Sequence, residues 1–378
     1  MKYSLSFRLK SYVIFFFDKI IGIYNVKTII RIKAAYKIYK QVNTAKYRDD
    51  NADTIVWLYY PNYSIFKEQI VWDILLMAYV AKSKQKFQVY RKADIGKFHN
   101  KTILFNIHKD KVNLFGLEDY SAGYQLICKK LEEQGNRVFP KYDNVVYWEN
   151  KIYMYERFKE LNIHTPRTTF YNDFEKVMSE ETIYPFLIKV PHSSGSYGIF
   201  TITDKESIEK IKNDPIITSN KFYIVQERLN ISMDMRVILV GEEIVHYYWR
   251  KNNDKTKWRT TSTGNGSSVD FETFPEQWRQ YMIDSFKRLG LITGGFDVGW
   301  QNDDVATEPY FFEVSPSYDV NPKTDNKAYL SNYGNYKKKL LMKNSFDKIF
   351  VEQTYDIKSK SIELFFDQAA RERKQQLR

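Results

Sequence analysis

Asp297 and Glu313 are the acids whose spacing could do chemistry. Gly295-Phe296-Asp297-Val298-Gly299-Trp300 is followed, after the polar Gln301-Asn302-Asp303-Asp304, by Tyr310-Phe311-Phe312-Glu313-Val314-Ser315-Pro316. Both arms have the apolar content of short strands and the polar residues between them are turn chemistry, so the pattern predicts a β-hairpin. A hairpin sets Asp297 beside Glu313. Two carboxylates on adjacent strands are a seat for a hard, oxygen-seeking cation such as Mg²⁺. A solvated hairpin edge uses the same residue types, and this stretch alone leaves both readings open.

A second concentration of chemistry lies upstream. Tyr184-Pro185-Phe186-Leu187-Ile188-Lys189-Val190 is a strand pattern with one lysine in an apolar run, a cation placed to meet an anion. Immediately after it, Pro191-His192-Ser193-Ser194-Gly195-Ser196-Tyr197-Gly198 is rich in small residues, which let backbone N–H groups approach phosphate oxygens. The spacing is not that of a Walker A loop, and an ordinary hairpin turn has the same composition. Further on, Lys221-Phe222-Tyr223-Ile224-Val225-Gln226-Glu227-Arg228-Leu229 reads as a strand ending on polar residues. Asp234 to His246 then reads as a hairpin turning at Gly241-Glu242. Arg250 and Arg259 suit planar carboxylate and phosphoryl groups, and a surface role is open for each.

The elements that must position these residues follow from periodicity. Thr54 to Tyr60, Lys101 to Asn106 and Arg137 to Pro140 read as strands, and Lys67 to Ala81 and Ser121 to Gln134 as helices, the last stopped by Gly135. That alternation predicts a small α/β domain with a mainly parallel sheet. Asn150-Lys151 opens a helix through Leu161, and Phe274 to Leu289 reads as a helix ending at Gly290. Lys337 to Arg378 reads as one or two basic helices that cover a cleft, contact a partner or cap the fold.

Composition narrows the classes. With 378 residues, 43% hydrophobic and 17% aromatic, the chain is globular and long enough for two or three lobes. Its single cysteine, Cys128, excludes an internal disulfide and a cysteine-based zinc cluster, and reads as a buried structural thiol. The five histidines show no ligand spacing, and no dinucleotide fingerprint or nucleic-acid motif is present, so no nucleic-acid partner is expected. The net charge of +12 is concentrated up to Arg48, where eleven basic residues face only Asp18. The apolar run there, broken by Asp18 and Lys19, falls short of the roughly 20 residues a spanning helix needs. Val26 to Val42 has the pattern of a basic amphipathic helix, suited to an anionic membrane surface or to packing on the protein or a second subunit. The expected location is cytoplasmic, with peripheral membrane contact through residues 1–48.

Taken in order, these motifs resemble the ATP-grasp superfamily, in its glutathione-synthetase and ribosomal-protein-glutamate-ligase branch, over roughly Asn150 to Pro322. The resemblance implies a mixed α/β and α+β chain: an ATP-grasp fold at 143–335 with lobes at about 143–226 and 227–335. A small parallel α/β domain at 51–142 precedes it, with helical extensions at 1–50 and 336–378. It implies that ATP and Mg²⁺ bind, with Lys151 and Lys189 on the nucleotide, the 193–198 loop (Ser193, Ser194, Gly195, Ser196 and Gly198) closing over its phosphates, and Gln226, Glu227, Arg228 and Leu229 at the adenine. Asp234 and Arg236 match the Asp-x-Arg strand start, and Asp297 and Glu313 the metal carboxylates. Ser315 stands where the family has asparagine and is a weaker metal ligand; Asn321 lies near enough in sequence to compensate. The implied activity is ligation of a carboxylate substrate to an amine acceptor through an acyl phosphate, with Arg236, Arg250 and Arg259 on the reacting groups. The basic N-terminus points to a surface-polysaccharide or lipid-linked substrate. A kinase acting on a hydroxyl and a non-catalytic nucleotide-binding module are alternatives, and the oligomeric state, including a homodimer, stays open.

Overall fold

The parallel sheet expected in the first half forms, and its strands start in step: Thr54 pairs with Phe87 and with Thr102, and Thr102 with Arg137. The computed structural model describes residues 26–58, 69–91, 94–107, 121–193, 195–252, 260–263, 266–271, 273–324 and 336–376. In chain order its elements are α1 (Val26–Gln41), β1 (Thr54–Trp57), α2 (Gln69–Lys82), β2 (Phe87–Tyr90), β3 (Thr102–Leu104), α3 (Ala122–Glu133), β4 (Arg137–Phe139), α4 (Lys151–Glu160), β5 (Thr168–Tyr171), α5 (Phe174–Glu180), β6 (Phe186–Lys189), β7 (Ile199–Ile202), α6 (Lys205–Ile211), β8 (Tyr223–Glu227), β9 (Met233–Val240), β10 (Glu243–Lys251), β11 (Ser268–Asp270), α7 (Arg279–Arg288), β12 (Thr293–Gly299), β13 (Tyr310–Ser315) and α8 (Tyr336–Gln376). They fall into two compact units, one spanning Met1–His108, Leu126–Tyr142 and Asp319–Arg378, the other Lys109–Gln125 and Asp143–Tyr318.

In the first unit the sheet order is β2-β1-β3-β4, all parallel. β1 is buried along its whole length, as its Thr-Ile-Val-Trp content suits. The short β2 has no counterpart among the strands read from sequence, because Phe87-Gln88-Val89-Tyr90 is too brief to show a period. Cys128 is buried, as expected. Along α1, Thr28, Arg31, Ala34, Ala35 and Ile38 are buried, while Tyr36 is half exposed. Arg31 pairs with buried Asp347 of α8 at 2.8 Å. The buried positions of α1 thus pack on protein; residues 1–25 lie outside the described residues. The C-terminal segment is a single helix of 41 residues. Its middle packs on α2, with Tyr355 stacked on Tyr79 at 5.5 Å and Phe350 edge-on to Trp72 at 5.9 Å. It therefore builds this unit's core.

The second unit holds two antiparallel sheets, β5-β8-β6-β7 and β11-β10-β9-β12-β13. In each, alternation sends one set of side chains to a core and the other to a polar face. Phe186, Ile188, Ile202, Tyr223 and Val225 pack with Phe174, Val177 and Ile208 of α5 and α6. Met235, Val237, Leu239, Trp249, Phe296, Val298, Phe311 and Val314 pack with Met154 and Phe158 of α4 and Met282 and Phe286 of α7. The helix expected from Phe274 is shorter, beginning at Arg279 after a 3-10 turn over Glu276–Trp278. What remains on the outward faces is the site.

Candidate active site

The predicted hairpin is present, and Asp297 pairs directly with Glu313 in its register. A register shift follows, so that Val298 meets Phe311 and Phe312 is the extra residue. This bulge is what the run Phe311-Phe312-Glu313 requires: without it Phe311 and Glu313 would share a face, whereas here one enters the core and the other joins Asp297. Gly299 permits it, since a Cβ there would lie 2.6 Å from the Phe312 ring.

Across the same sheet, Asp297 pairs in register with Arg236, and Arg236 with Tyr248; Asp234 pairs with Arg250. One row of the polar face therefore reads Glu313, Asp297, Arg236, Tyr248, with Asp234 and Arg250 in the next. Arg236 grips Asp297 with two hydrogen bonds, Nε to Oδ1 and Nη2 to Oδ2, the latter 2.9 Å. Arg250 grips Asp234 likewise at 2.7 and 2.5 Å and reaches Asp297 Oδ2 at 3.1 Å. Burial by itself would push Asp297 up, but the two guanidiniums outweigh it and hold the carboxyl below its ordinary value. Gly295 leaves space for Arg236, whose Cδ would lie 3.2 Å from a Cβ at that position.

The lysines arrive from the other elements. Asn150 caps α4 by accepting from the Tyr153 amide at 3.3 Å, and Lys151 occupies the first helical position. A cation is unfavourable beside the positive end of a helix, so both serve an incoming anion better than each other. Lys151 is buried and donates to the Ser193 carbonyl and, at 3.2 Å, to its hydroxyl. Lys189 is also buried and donates to Gln226 Oε1 at 2.5 Å and to the Tyr155 hydroxyl at 3.1 Å. Burial lowers its ammonium to about 8, and Glu313 and Asp297 partly offset this. Tyr155 ties the two sheets together, because its hydroxyl donates to the Phe312 carbonyl at 2.8 Å while accepting from Lys189. Sequence reasoning missed it, although the i, i+4 spacing from Lys151 was a signal that the two share a helix face.

The loop after Lys189 is a β6–β7 hairpin, with Lys189 paired to Ile199 and the Val190 amide donating to the Gly198 carbonyl at 3.0 Å. Gly195, Ser196 and Gly198 all have positive φ. At Gly198 a Cβ would lie 2.4 Å from Val190 Cγ2, so only glycine fits. Ser194 and Arg259 lie outside the described residues. Gln226 pairs in register with both Thr168 and Leu187 in the sheet. Its side chain positions Lys189 and donates to Thr168 Oγ1 at 2.9 Å. The Glu227 amide donates to the Arg167 carbonyl at 2.9 Å, and the chain leaves the sheet at Arg228, with Leu229 buried. Asp234 acts on Arg250 through the two bonds described above.

Among the described residues no group of three or more His, Cys, Asp or Glu side chains is arranged to hold a metal ion, so a metal here rests on a pair. The pair fits. No described residue holds Glu313 by a hydrogen bond or ion pair, and burial pushes its carboxyl up, as for a charge that lacks its counterion. Each carboxylate oxygen has two acceptor positions, and Asp297 Oδ1 uses one, for Arg236 Nε. The Ser315 hydroxyl is committed, donating to the Ser317 carbonyl at 2.6 Å. Asn321 belongs to the first unit.

Residues 149–327 match the family model for a RimK-like ATP-grasp domain. No curated protein sequence matches the chain. Among solved structures, D-alanine–D-alanine ligase from Bacillus anthracis is 13% identical with a TM-score of 0.50, the match covering 83% of this chain and 99% of that one. A RimK domain ATP-grasp protein from Sphaerobacter thermophilus is 13% identical with a TM-score of 0.47, covering 80% and 98%. With its two antiparallel sheets, the matched segment 149–327 has the ATP-grasp fold and is similar to the RimK-like ATP-grasp family.

Proposed function

We propose that the protein is an ATP-dependent ligase joining a carboxylate to an amine through an acyl phosphate. The observation that carries this is the convergence, within one unit, of two buried lysines with a paired carboxylate seat and two partly buried arginines. Lys151 and Lys189 would hold phosphate oxygens, displacing the Ser193 and Gln226 contacts they now make. Glu313 and Asp297 would hold Mg²⁺, which when bound neutralises phosphate charge. Arg236 and Arg250 would steady the substrate carboxylate and the transferring phosphoryl group, and Arg259 is a third candidate for that role. A carboxylate oxygen attacks the γ-phosphorus and the β–γ bridging bond breaks, releasing ADP. The amine nitrogen then attacks the acyl carbon, phosphate leaves with the C–O bond electrons, and the nitrogen gives up a proton.

Ser315 favours a second reading, a nucleotide-binding module without turnover, because its hydroxyl is already engaged. Product analysis decides. ADP and phosphate formed only when a carboxylate and an amine are both present supports the ligase, a phosphorylated product points to a kinase, and nucleotide binding without ADP release removes both. A surface-polysaccharide or lipid-linked substrate is the finer proposal, supported by the basic residues up to Arg48. It is tested by adding anionic vesicles to the same assay; an unchanged rate sinks it. No helix among the described residues is long and apolar enough to cross a membrane.

Lys189 gives a pH signature. Its ammonium in the empty protein, near 8, lies below the ordinary 10.5. Affinity for a fluorescent ADP analogue is therefore expected to fall as pH rises through 8. The stability of the empty protein should rise between 8 and 10.5, because there the unfolded chain binds the extra proton. In Lys189→Met the affinity should be weak and flat over that range. A wild-type affinity that does not change between pH 7 and 9.5 contradicts this role.

A further inference from the structure

The helix α1 holds five basic residues and no acidic one, and the fold uses only one of its sides. Thr28, Arg31, Ala34, Ala35 and Ile38 recur at helical spacing and are buried in the first unit. On that side charge is neutralised: Arg31 pairs with Asp347 at 2.8 Å and lies 4.0 Å from the centre of the Phe350 ring. The opposite side is turned outward. Ile29, Lys33, Tyr36, Lys37 and Lys40 follow one another at i, i+4, i+7, i+8 and i+11, which is a single stripe along the helix. The three lysines and Tyr36 are exposed and Ile29 is partly so.

Among the described residues no carboxylate pairs with Lys33, Lys37 or Lys40. Tyr36 is held at the surface, stacked on Tyr39 at 6.0 Å with the Lys40 ammonium 4.8 Å from its ring centre. Single apolar residues on a surface are ordinary; here a tyrosine and an isoleucine share one stripe with three cations that lack a protein anion. The chain entering α1 has the same composition, with Lys2, Arg8, Lys10 and Lys19 against Asp18 and apolar runs at Tyr12-Val13-Ile14-Phe15-Phe16-Phe17 and Ile20-Ile21-Gly22-Ile23-Tyr24. A protein partner fits this stripe poorly, because lysine is depleted from the cores of protein interfaces. Nucleic acid fits it less well than lipid, since the stripe has no arginine fork and sets an isoleucine beside its lysines. An anionic lipid surface takes all three residue types: lysine at the phosphates, the tyrosine ring at the headgroup level and isoleucine toward the acyl boundary.

We propose that the outward stripe of α1, Ile29, Lys33, Tyr36, Lys37 and Lys40, docks the protein on an anionic membrane surface. An interfacial helix ordinarily gives its broad apolar face to the lipid. In α1 protein takes the buried side, so the contact is mainly electrostatic, reversible and sensitive to salt. The inference deepens the reading of a lipid-linked substrate, on which its purpose rests, because a docked enzyme meets a lipid-borne substrate at the surface that carries it. The docking itself is measured without nucleotide or turnover.

The test is flotation of the full chain with vesicles of phosphatidylcholine alone or with about 30% phosphatidylglycerol, which supplies the negative surface potential. Binding is expected on the anionic vesicles only, and should weaken as salt is raised from ~0.1 M to ~0.5 M. Each lysine at such a surface contributes about fivefold, so Lys33→Gln, Lys37→Gln and Lys40→Gln together should weaken binding roughly 100-fold. An unchanged urea midpoint certifies the fold of that variant; Lys37→Gln alone, with about a fivefold loss, serves if the triple variant does not fold. No binding to anionic vesicles, equal binding to neutral ones, or full binding by the triple variant would overturn the proposal. Tighter binding of a duplex oligonucleotide, lost in the same variant, would overturn it too. Vesicle binding lost in the triple variant, with no carboxylate- and amine-dependent ADP release in any assay, sinks the ligase reading and leaves the docking surface; such ADP release from a protein that ignores vesicles does the reverse.

Discussion

Glu313→Gln is expected to reduce Mg²⁺-dependent turnover by ~10³-fold or more while making the empty protein more resistant to unfolding at neutral pH. The loss follows from removing one of the two carboxylates that would hold the metal, when metal stabilisation of developing charge is worth several kcal/mol and each 1.36 kcal/mol is about tenfold in rate. The gain has the opposite cause. Burial holds the Glu313 carboxyl above its ordinary 4.5, with Glu149 and Asp297 adding to the effect and Lys151 and Arg236 opposing it. A raised carboxyl pKa means the folded state binds the proton more tightly. The empty protein is then penalised progressively as pH climbs from the unfolded value through the folded one, and the penalty persists above it. Gln carries no charge and escapes the penalty, so the melting temperatures of the two proteins should coincide near pH 4 and separate above it, with the variant higher. Saturating Mg²⁺ and ATP should reverse the order, since only the wild type gains their binding energy. Equal turnover in the variant would remove Glu313 from the site.

Asp234→Ala is expected to destabilise the protein by about 3–5 kcal/mol, because breaking a buried pair from one side leaves the other charge uncompensated. Asp234 is buried and takes two hydrogen bonds from Arg250. Without it, Arg250 keeps only Asp297, which Arg236 already holds, and two guanidiniums would share one carboxylate. The double variant Asp234→Ala with Arg250→Ala should recover part of the loss, and the recovered part measures the coupling. Urea unfolding followed by tryptophan fluorescence provides the measurement. The same variant separates two roles for Asp234. If it acts through Arg250, nucleotide affinity changes little while turnover falls; an unchanged urea midpoint with lost nucleotide binding would instead put Asp234 on the nucleotide.

Much of the site was legible because its residues lie in short local patterns: a lysine in an apolar strand, a glycine-serine turn, two acids flanking a polar turn. Strand alternation alone places Asp234 and Arg236 on one face and Met235 and Val237 on the other. Less legible were elements whose character depends on distant partners. The basic pattern of α1 says nothing of Arg31 meeting Asp347, 316 residues away. The charged composition of the last forty residues hides a helix whose buried positions are set by α1 and α2.

The sequence by itself determined that Asp297 and Glu313 would be neighbours, since a polar turn between two apolar arms can close only as a hairpin. Tertiary structure alone decided what stands around them. Register across β10, β9, β12 and β13 lines up Tyr248, Arg236, Asp297 and Glu313, and a bulge at Phe312 turns Glu313 toward Asp297. Asp297 is consequently held by two arginines while Glu313 has no hydrogen-bond or ion-pair partner among the described residues. That difference depends on pairing between residues up to 63 positions apart, which no local spacing encodes.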